Sequence, residues 1–510
     1  MELILGKIAQ ILGTEPPASP ETRVRGYSID SRTLRLGELF FALPGERPGE
    51  RVDGHDFVDA ALAAGAAAAV VEAARWAGFP APLRSKLLAV PEPLTALQTL
   101  AAAVRRLWAG PVVAVTGSTG KTTTKQMIAA LLETQFRVMQ NEGNLNNHIG
   151  LPLSLLRLEP ETEVGVFELA MSGPGEIRSL ANLAAPDLGV VTNVAPVHLE
   201  FFPDVEAIAQ AKSELIEVLV ESALRSLGVG GAWAVLNADD PRVSAFGARM
   251  PGRVLYFGIT HPAHFWARGL LPNSAGGFIF TLPLQPYCTE PLGVVWKGKP
   301  PREASLLEES SETRFHLPLL GQHNVLNALA ALAACYALGI PPSCLTAAVD
   351  RLRPAPLRGE VVRLANGALV VNDCYNSNPE ALEAALTAVA SLPAQRRIAV
   401  LGGMMELGPS SDALHYRCGQ RVGELGFQFL FTVGDAARPL AGGARAAGLR
   451  PENLIHLNSP EEAGERLREL LQGGDVVLLK ASRAVRLEKV WDRWQSLLLP
   501  SEAVSGQGKG

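Results

Sequence analysis

Apolar positions in this chain fall mostly into short continuous runs, each followed by a polar or glycine-rich break and then a segment of helical period. The runs "ELFFAL", "AAAAVVE" and "KLLAVP" occupy the first hundred residues, "VVAVT", "TEVGVFEL" and "DLGVVTN" the middle. Towards the end come "ALVVNDCYN", "RRIAVLGGM", "FQFLFTVGD" and "DVVLLKAS". Uninterrupted apolar runs of this length predict strands covered on both faces, and their alternation with helices predicts parallel sheets, hence an α/β fold. Between about Pro251 and Leu320 the texture changes to short runs such as "GFIFTLPL" and "RFHLPLL" among Pro and Gly, which predicts a small β insertion. Asn366-Gly367 inside "LANGALVV" is a hairpin turn signal. These shifts divide the chain into residues 1–108, 109–352 and 353–500, with a disordered tail expected at 501–510; no internal repeat is present.

The 510 residues suit two to four domains, and 47% hydrophobic against 19% charged content supplies material for packed cores. A formal net charge of −5 and the lack of a Lys/Arg block argue against a nucleic-acid partner. "MELILGKIAQILG" reads as an amphipathic helix without a secretory signal's basic leader or cleavage site, and "ALAAGAAAAVV" is too short to span a bilayer. Five scattered cysteines with no CxxC pair support neither a zinc site nor a disulfide framework. The expectation is a cytoplasmic protein without a membrane span.

Candidate chemistry concentrates at "VVAVTGSTGKTTTKQM". Strand, glycine loop and helix start place the N–H groups of Gly117, Ser118, Thr119 and Gly120 around phosphate oxygens. Lys121 then reaches the terminal phosphates, and the Thr122 hydroxyl suits Mg²⁺, with Thr123 beside it. The general pattern asks for Gly at position 115, where this chain has Val. Two further strands end in usable groups: Glu168 closes "TEVGVFEL", and His198 follows "DLGVVTNVAPV". Alone, each is read more simply as a cap, surface carboxylate or loop histidine. Sharing the carboxyl edge of one sheet with the phosphate loop favours a metal site. Lys212 lies on the apolar stripe of Val205, Ile208, Leu215 and Leu219. It either snorkels outward or is buried, and a buried amine of lowered pKa can capture carbon dioxide as a metal-ligating carbamate.

The set "TGSTGKTTTK", "NNHIGLPLSLL", "FELAMSGPGEI", "TNVAPVHLE", "AKSELI", "LNADDP", "GQHNVLNALAA" and "NDCYNSNPEAL" resembles the Mur ligases, ATP-dependent amide-forming enzymes of peptidoglycan precursor synthesis. The resemblance runs in order over about residues 20 to 490. It implies a UDP-sugar-binding N-terminal domain, a central P-loop-type ATPase sheet carrying the β insertion, and a C-terminal Rossmann-like domain that closes over the site. Lys121 would hold phosphates, Thr122, Glu168 and His198 metal, and Lys212 would be carbamylated. ATP and two Mg²⁺ ions are the implied cofactors. Asn324 and Asn327 would meet adenine, for which helix N-capping is the simpler alternative. Arg358 and Asp373 would reach ATP from the third domain. Ser31 and Arg32 would contact the UDP-sugar, while Asn146, Asn147, Tyr375, Asn376 and Asn378 would contact the peptide substrates; Lys480, Ser482 and Arg483 form a further substrate-facing segment. "NNHIGLPLSLL" and "YNSNPEAL" point to the member that joins D-alanyl-D-alanine to a UDP-N-acetylmuramoyl-tripeptide, acting as a monomer. The alternatives are a relative adding a single amino acid and a non-catalytic nucleotide-binding module. Gly403 in "LGGMMELG" stands where the family suggests Asp, the 285–312 stretch is longer than the family suggests, and "DDPR" at Asp239 to Arg242 is a decoy for a signature that the diaminopimelate-adding relative carries in its third domain.

Overall fold

A computed structural model of the chain describes residues 1–45, 52–225, 232–250, 253–273, 276–283 and 312–494. The expected tail, Cys288 and nearly all of the 285–312 stretch lie outside the described residues. The N-terminal amphipathic helix spans Leu5–Leu12 and buries Leu5, Ile8 and Ala9. The first domain holds four parallel strands, Gly26–Ser28, Glu38–Phe41, Ala68–Glu72 and Leu87–Val90, in sequential order. The helix Pro93–Trp108 leads from this sheet into the central domain.

The central sheet has seven parallel strands in the order Phe265–Trp266, Val254–Gly258, Trp233–Asn237, Leu188–Val191, Val112–Thr116, Val164–Glu168, Val138–Gln140. Chain order reverses direction at Val112–Thr116, and such a switch point opens a crevice at the strands' carboxyl ends. One neighbour ends in Glu168, and His198 lies in the loop that follows the other. The helix Gln322–Ala337 is rich in Ala and Leu, and its buried apolar residues pack in one core with Met127, Ile128 and Leu131 of the phosphate-loop helix Lys121–Leu132.

The β insertion begins later than its sequence suggested. Val254–Gly258 and Phe265–Trp266 belong to the central sheet, and the separate antiparallel sheet consists of Arg268–Pro272, Phe278–Pro283 and Glu312–Leu317. Pro251 and Gly252, where the change of texture was placed, lie outside the described residues, and the strand that follows them pairs in the central sheet. The third domain is a six-stranded sheet in which Glu360–Arg363 pairs antiparallel with Leu369–Asn372 and the remaining pairs are parallel. Gly367, at φ 89°, turns that hairpin as Asn-Gly implied. Among the described residues no helix is long and apolar enough to cross a membrane.

Candidate active site

The strand Val112–Thr116 is wholly buried. Val115 sits inside it, in register with Glu168 on one side and Val190 on the other, so the loop begins at Gly117 and position 115 needs no glycine. Gly117 has φ 147° and Gly120 φ 77°; a Cβ on the first would meet Thr192 Oγ1 at 1.9 Å, and on the second Asn327 Oδ1 at 2.5 Å. The loop must therefore run against its neighbours without side chains, and it leads into the helix Lys121–Leu132, whose first-turn N–H groups lack intrahelical acceptors. Asn193 braces the loop: its Oδ1 accepts from Ser118 N at 3.1 Å and Thr119 N at 2.8 Å. Asp240 holds the next residue, accepting from Val194 N at 2.6 Å, while its other oxygen caps the helix Pro241–Phe246. The "DDPR" motif is thus a structural brace behind the phosphate loop.

Two lysines converge on one carbonyl. Lys121 Nζ donates to Gly117 O at 2.8 Å and Ser118 O at 3.1 Å, and Lys212 Nζ donates to Gly117 O at 3.0 Å. Lys212 is 2% exposed, so the ammonium end does not snorkel from its helix, Val205–Arg225. Burial lowers the Lys212 pKa well below the usual lysine range, and the neighbouring Lys121 lowers it further. Burial also lowers Lys121, with Glu168 opposing and Arg358 adding to the shift.

Because Val115 stands opposite Glu168, that carboxylate leaves its strand at the edge where the phosphate loop begins. Thr122 Oγ1 donates to Glu168 Oε2 at 2.7 Å, and Asn146 Nδ2 donates to Glu168 Oε1 at 2.8 Å. From the third domain, Arg358 Nη2 donates to Thr122 Oγ1 at 3.0 Å, and its guanidinium lies 4.1 Å from the Tyr375 ring centroid. Thr122, Glu168, Asn146 and Arg358 therefore form one connected group beside the loop. His198, at φ 57°, pairs through Nδ1 with Glu406 of the third domain, whose own φ is 63°. The His198 side chain lowers the Glu406 pKa, and burial opposes it. Among the described residues no three His, Cys, Asp or Glu side chains gather as a metal site by themselves. A magnesium ion here would draw on the Thr122 hydroxyl, the Glu168 carboxylate and the phosphate oxygens, a donor set of hard oxygens that fits it.

Asn324 and Asn327 are buried on the helix Gln322–Ala337, but neither caps it. Asn324 Nδ2 donates to Leu320 O at 2.8 Å, Asn327 Nδ2 to Asn324 Oδ1 at 3.1 Å, and Thr124 Oγ1 to Asn327 Oδ1 at 3.2 Å. Asp373 accepts from the buried Lys480 at 2.5 Å, and Lys480 also donates to Asn376 O at 3.1 Å. Asn378 caps the helix Pro379–Ala390 through Ala381 N, and Asn147 Oδ1 accepts from Gly150 N at 2.8 Å, so both amides serve local turns. Thr123 lines a cleft of about 460 Å³ with Arg351 and Arg353, beside the linker to the third domain. Ser482 Oγ accepts from Met405 N at 3.0 Å, and Arg483 pairs with Glu488. In the first domain, Arg32 grips Asp30 through two nitrogens at 2.9 and 2.7 Å and stands otherwise in solvent, next to Ser31.

Sequence reasoning passed over Lys125, Asn141, Asn193, Asp240 and Glu406. Lys125 had a signal: it lies four residues after Lys121, on the same helical face. Glu406 had none, because its partner is 208 residues away.

Fold and site together define an ATP-using enzyme built from a phosphate-loop sheet and a third domain that brings Arg358 to it. Family models agree: the Mur ligase family catalytic domain matches residues 23–105, the Mur ligase middle domain 115–335, and the Mur ligase glutamate ligase domain 357–483. The chain belongs to the Mur ligase family. It is 33% identical over 490 residues to UDP-N-acetylmuramoyl-tripeptide–D-alanyl-D-alanine ligase of Bacillus subtilis, covering 96% of each chain. It is 31% identical to the enzyme of that name from Escherichia coli, covering 96% of this chain and 98% of the other. Among solved structures it resembles MurF from Acinetobacter baumannii, at TM-score 0.79 and 26% identity over 96% and 98% of the two chains. It also resembles MurF ligase from Thermotoga maritima in complex with ADP, at TM-score 0.74 and 29% identity over 95% and 99%.

Proposed function

We propose that the chain joins D-alanyl-D-alanine to the terminal carboxylate of a UDP-N-acetylmuramoyl-tripeptide, at the expense of ATP. The observation that carries this reading is the connected group of Thr122, Glu168, Asn146 and Arg358 beside the phosphate loop, in a chain aligned end to end with ligases of that name. We assign UDP-sugar recognition to residues 1–108, with Ser31 and Arg32 as contacts, ATP to 109–352 and closure to 353–500.

A carboxylate does not accept an amine directly, because its oxygen is a poor leaving group. The γ-phosphoryl group moves to the tripeptide carboxylate, giving an acyl phosphate and ADP. The dipeptide amine then adds to the acyl carbon, and the tetrahedral intermediate expels phosphate and leaves the amide. Both anionic reactants must meet, so the chain's main work is positioning and charge neutralisation. Lys121 leaves the Gly117 and Ser118 carbonyls to follow the phosphates. Thr122 and Glu168 would hold magnesium, which would neutralise charge on the transferring phosphoryl group. Arg358 reaches the same point from the third domain, so closure completes the site and excludes water from the acyl phosphate.

Lys212 is the residue we assign as a carbamate. Support comes from its burial, its lowered pKa and the adjacent Lys121 ammonium, which would pair with the resulting anion. His198 is assigned to metal or its bound water, with Glu406 as the partner that orients the imidazole. Asn324 and Asn327 are assigned to adenine, Asp373 to ATP, and Tyr375, Asn376, Asn378 and Asn147 to the peptide side of the cleft.

Phosphate release measured with D-alanyl-D-alanine against single amino acids tests the reading. Release should require ATP, the UDP-sugar tripeptide and the dipeptide together. Equal release with a single amino acid would transfer the chain to another branch of the family, and release independent of both peptides would remove it from ligation.

A further inference from the structure

Lys125 is a buried cation that the ligase reading leaves without a task. It stands one helical turn beyond Lys121, is 2% exposed, and donates from Nζ to the Asn141 carbonyl. Asn141 is 1% exposed and grips the end of the strand that carries Glu168. Its Oδ1 accepts from Glu168 N at 2.9 Å, and its Nδ2 donates to Glu168 O at 3.2 Å and to Leu145 O at 2.8 Å. One residue further, Asn146 donates to the Glu168 carboxylate at 2.8 Å and accepts from Ala170 N at 3.0 Å. Taking an ammonium out of water is costly, and a Met or Leu would fill a similar volume without that cost. The nitrogen is therefore explained by what it holds.

We propose that Lys125 is a positioning residue for the metal-binding carboxylate: its ammonium fixes the Asn141–Asn146 turn, and the turn clamps Glu168 at its N–H, its carbonyl and its side chain. This rests on the metal role assigned to Glu168 above. Burial lowers the Lys125 pKa and Arg358 adds to the shift, while the charge of Glu168 opposes it and favours the ammonium form.

The test uses the full chain with Mn²⁺ and a non-hydrolysable ATP analogue, with free Mn²⁺ counted by electron paramagnetic resonance. Lys125→Met should weaken Mn²⁺ binding by about 10- to 100-fold, the range found when groups that orient metal ligands are removed. Asn141→Asp should weaken it comparably, and the double variant should lose less than the product of the two, since both act through one turn. The KM for D-alanyl-D-alanine should stay near the wild-type value. Unchanged or tighter Mn²⁺ binding in folded Lys125→Met would overturn the proposal, because tighter binding would mean that the ammonium only repels the ion. Should Lys125→Met fail to fold, Lys125→Gln takes its place with the same two readings: its shorter, neutral side chain leaves Asn141 without the ammonium. Glu168→Gln separates the two levels of inference. If it binds Mn²⁺ like the wild type, the metal reading of Glu168 is lost; if it loses Mn²⁺ while Lys125→Met keeps it, only the positioning role is lost.

Discussion

Gly120→Ala probes the phosphate loop with a single methyl group. The residue has φ 77°, where a Cβ costs about 1–2 kcal/mol. The new Cβ would also stand 2.5 Å from Asn327 Oδ1, well inside contact distance. Asn327 is not free to swing away, since its Oδ1 accepts from Thr124 at 3.2 Å and its Nδ2 donates to Asn324 at 3.1 Å. Giving up one or both bonds costs about 1 kcal/mol each, so the substitution is worth about 2–4 kcal/mol in all. The molecule has two ways to take this. If the loop keeps its shape, the cost appears as lost stability; if the loop shifts, it appears as lost affinity for ATP, about 30- to 1,000-fold for the full amount. Denaturant unfolding and calorimetric titration with ATP measure the two parts, and their sum should fall in that range. Wild-type stability together with wild-type ATP affinity would refute the reasoning that the glycine is required by its surroundings.

Lys121→Ala should reduce turnover by at least about 100-fold in the phosphate-release assay, through loss of charge neutralisation at the transferred group; activity within a few-fold of the wild type would exclude its phosphate role. Lys212→Ala should lose most activity and regain part of it on addition of a short carboxylate, whereas full activity without any additive would refute the carbamate. The buried thiols of Cys374 and Cys418 are each pushed up to about 12, chiefly by burial, and burial raises Cys335 as well. A raised thiol pKa keeps the neutral form as pH climbs, so at pH 9 these three should resist a thiol reagent. In a Cys288→Ser background only the exposed Cys344 should then react quickly. Rapid modification of more than one thiol in the folded chain would contradict this packing.

Most strands of the main sheet in each domain were legible in the sequence because a strand buried on both faces must be apolar throughout, as "VVAVT" and "DVVLLK" are. The error at Val254–Gly258 has the same physics behind it: a short run flanked by Pro and Gly looks alike in a parallel sheet and in a hairpin. At the site, Thr122 and Glu168 could be joined from sequence alone, because both follow from strand order and the carboxyl-edge rule. Asn146, expected at the substrate, also bonds Glu168, a partner the sequence did not show because the side to which a loop amide turns depends on the loop's fold. Asn378 and Asn147 serve as turn and cap acceptors, roles that Asn fills without any ligand. The pairing of His198 with Glu406 joins two domains, and no periodicity within either segment could have announced it.

The charges around the loop give a reason for nucleotide binding and the proposed closure to be coupled. Lys121 and Lys125 are both pressed toward the neutral form by burial, and Arg358 adds to that pressure from the third domain, while Glu168 opposes it. Bringing Arg358 onto Thr122 without an anion in the loop therefore adds a cation to a site already rich in them. A bound triphosphate would reverse the sign for the cations, because each of them would gain a nearby negative charge that favours its charged form. If the third domain closes as proposed, closure favoured by the phosphates, and by a magnesium ion at Glu168, would couple the assembly of the catalytic site to the presence of the reactant it must activate. The Arg358 guanidinium suits that coupling, because it lies 4.1 Å from the Tyr375 ring centroid and the ring fixes its direction.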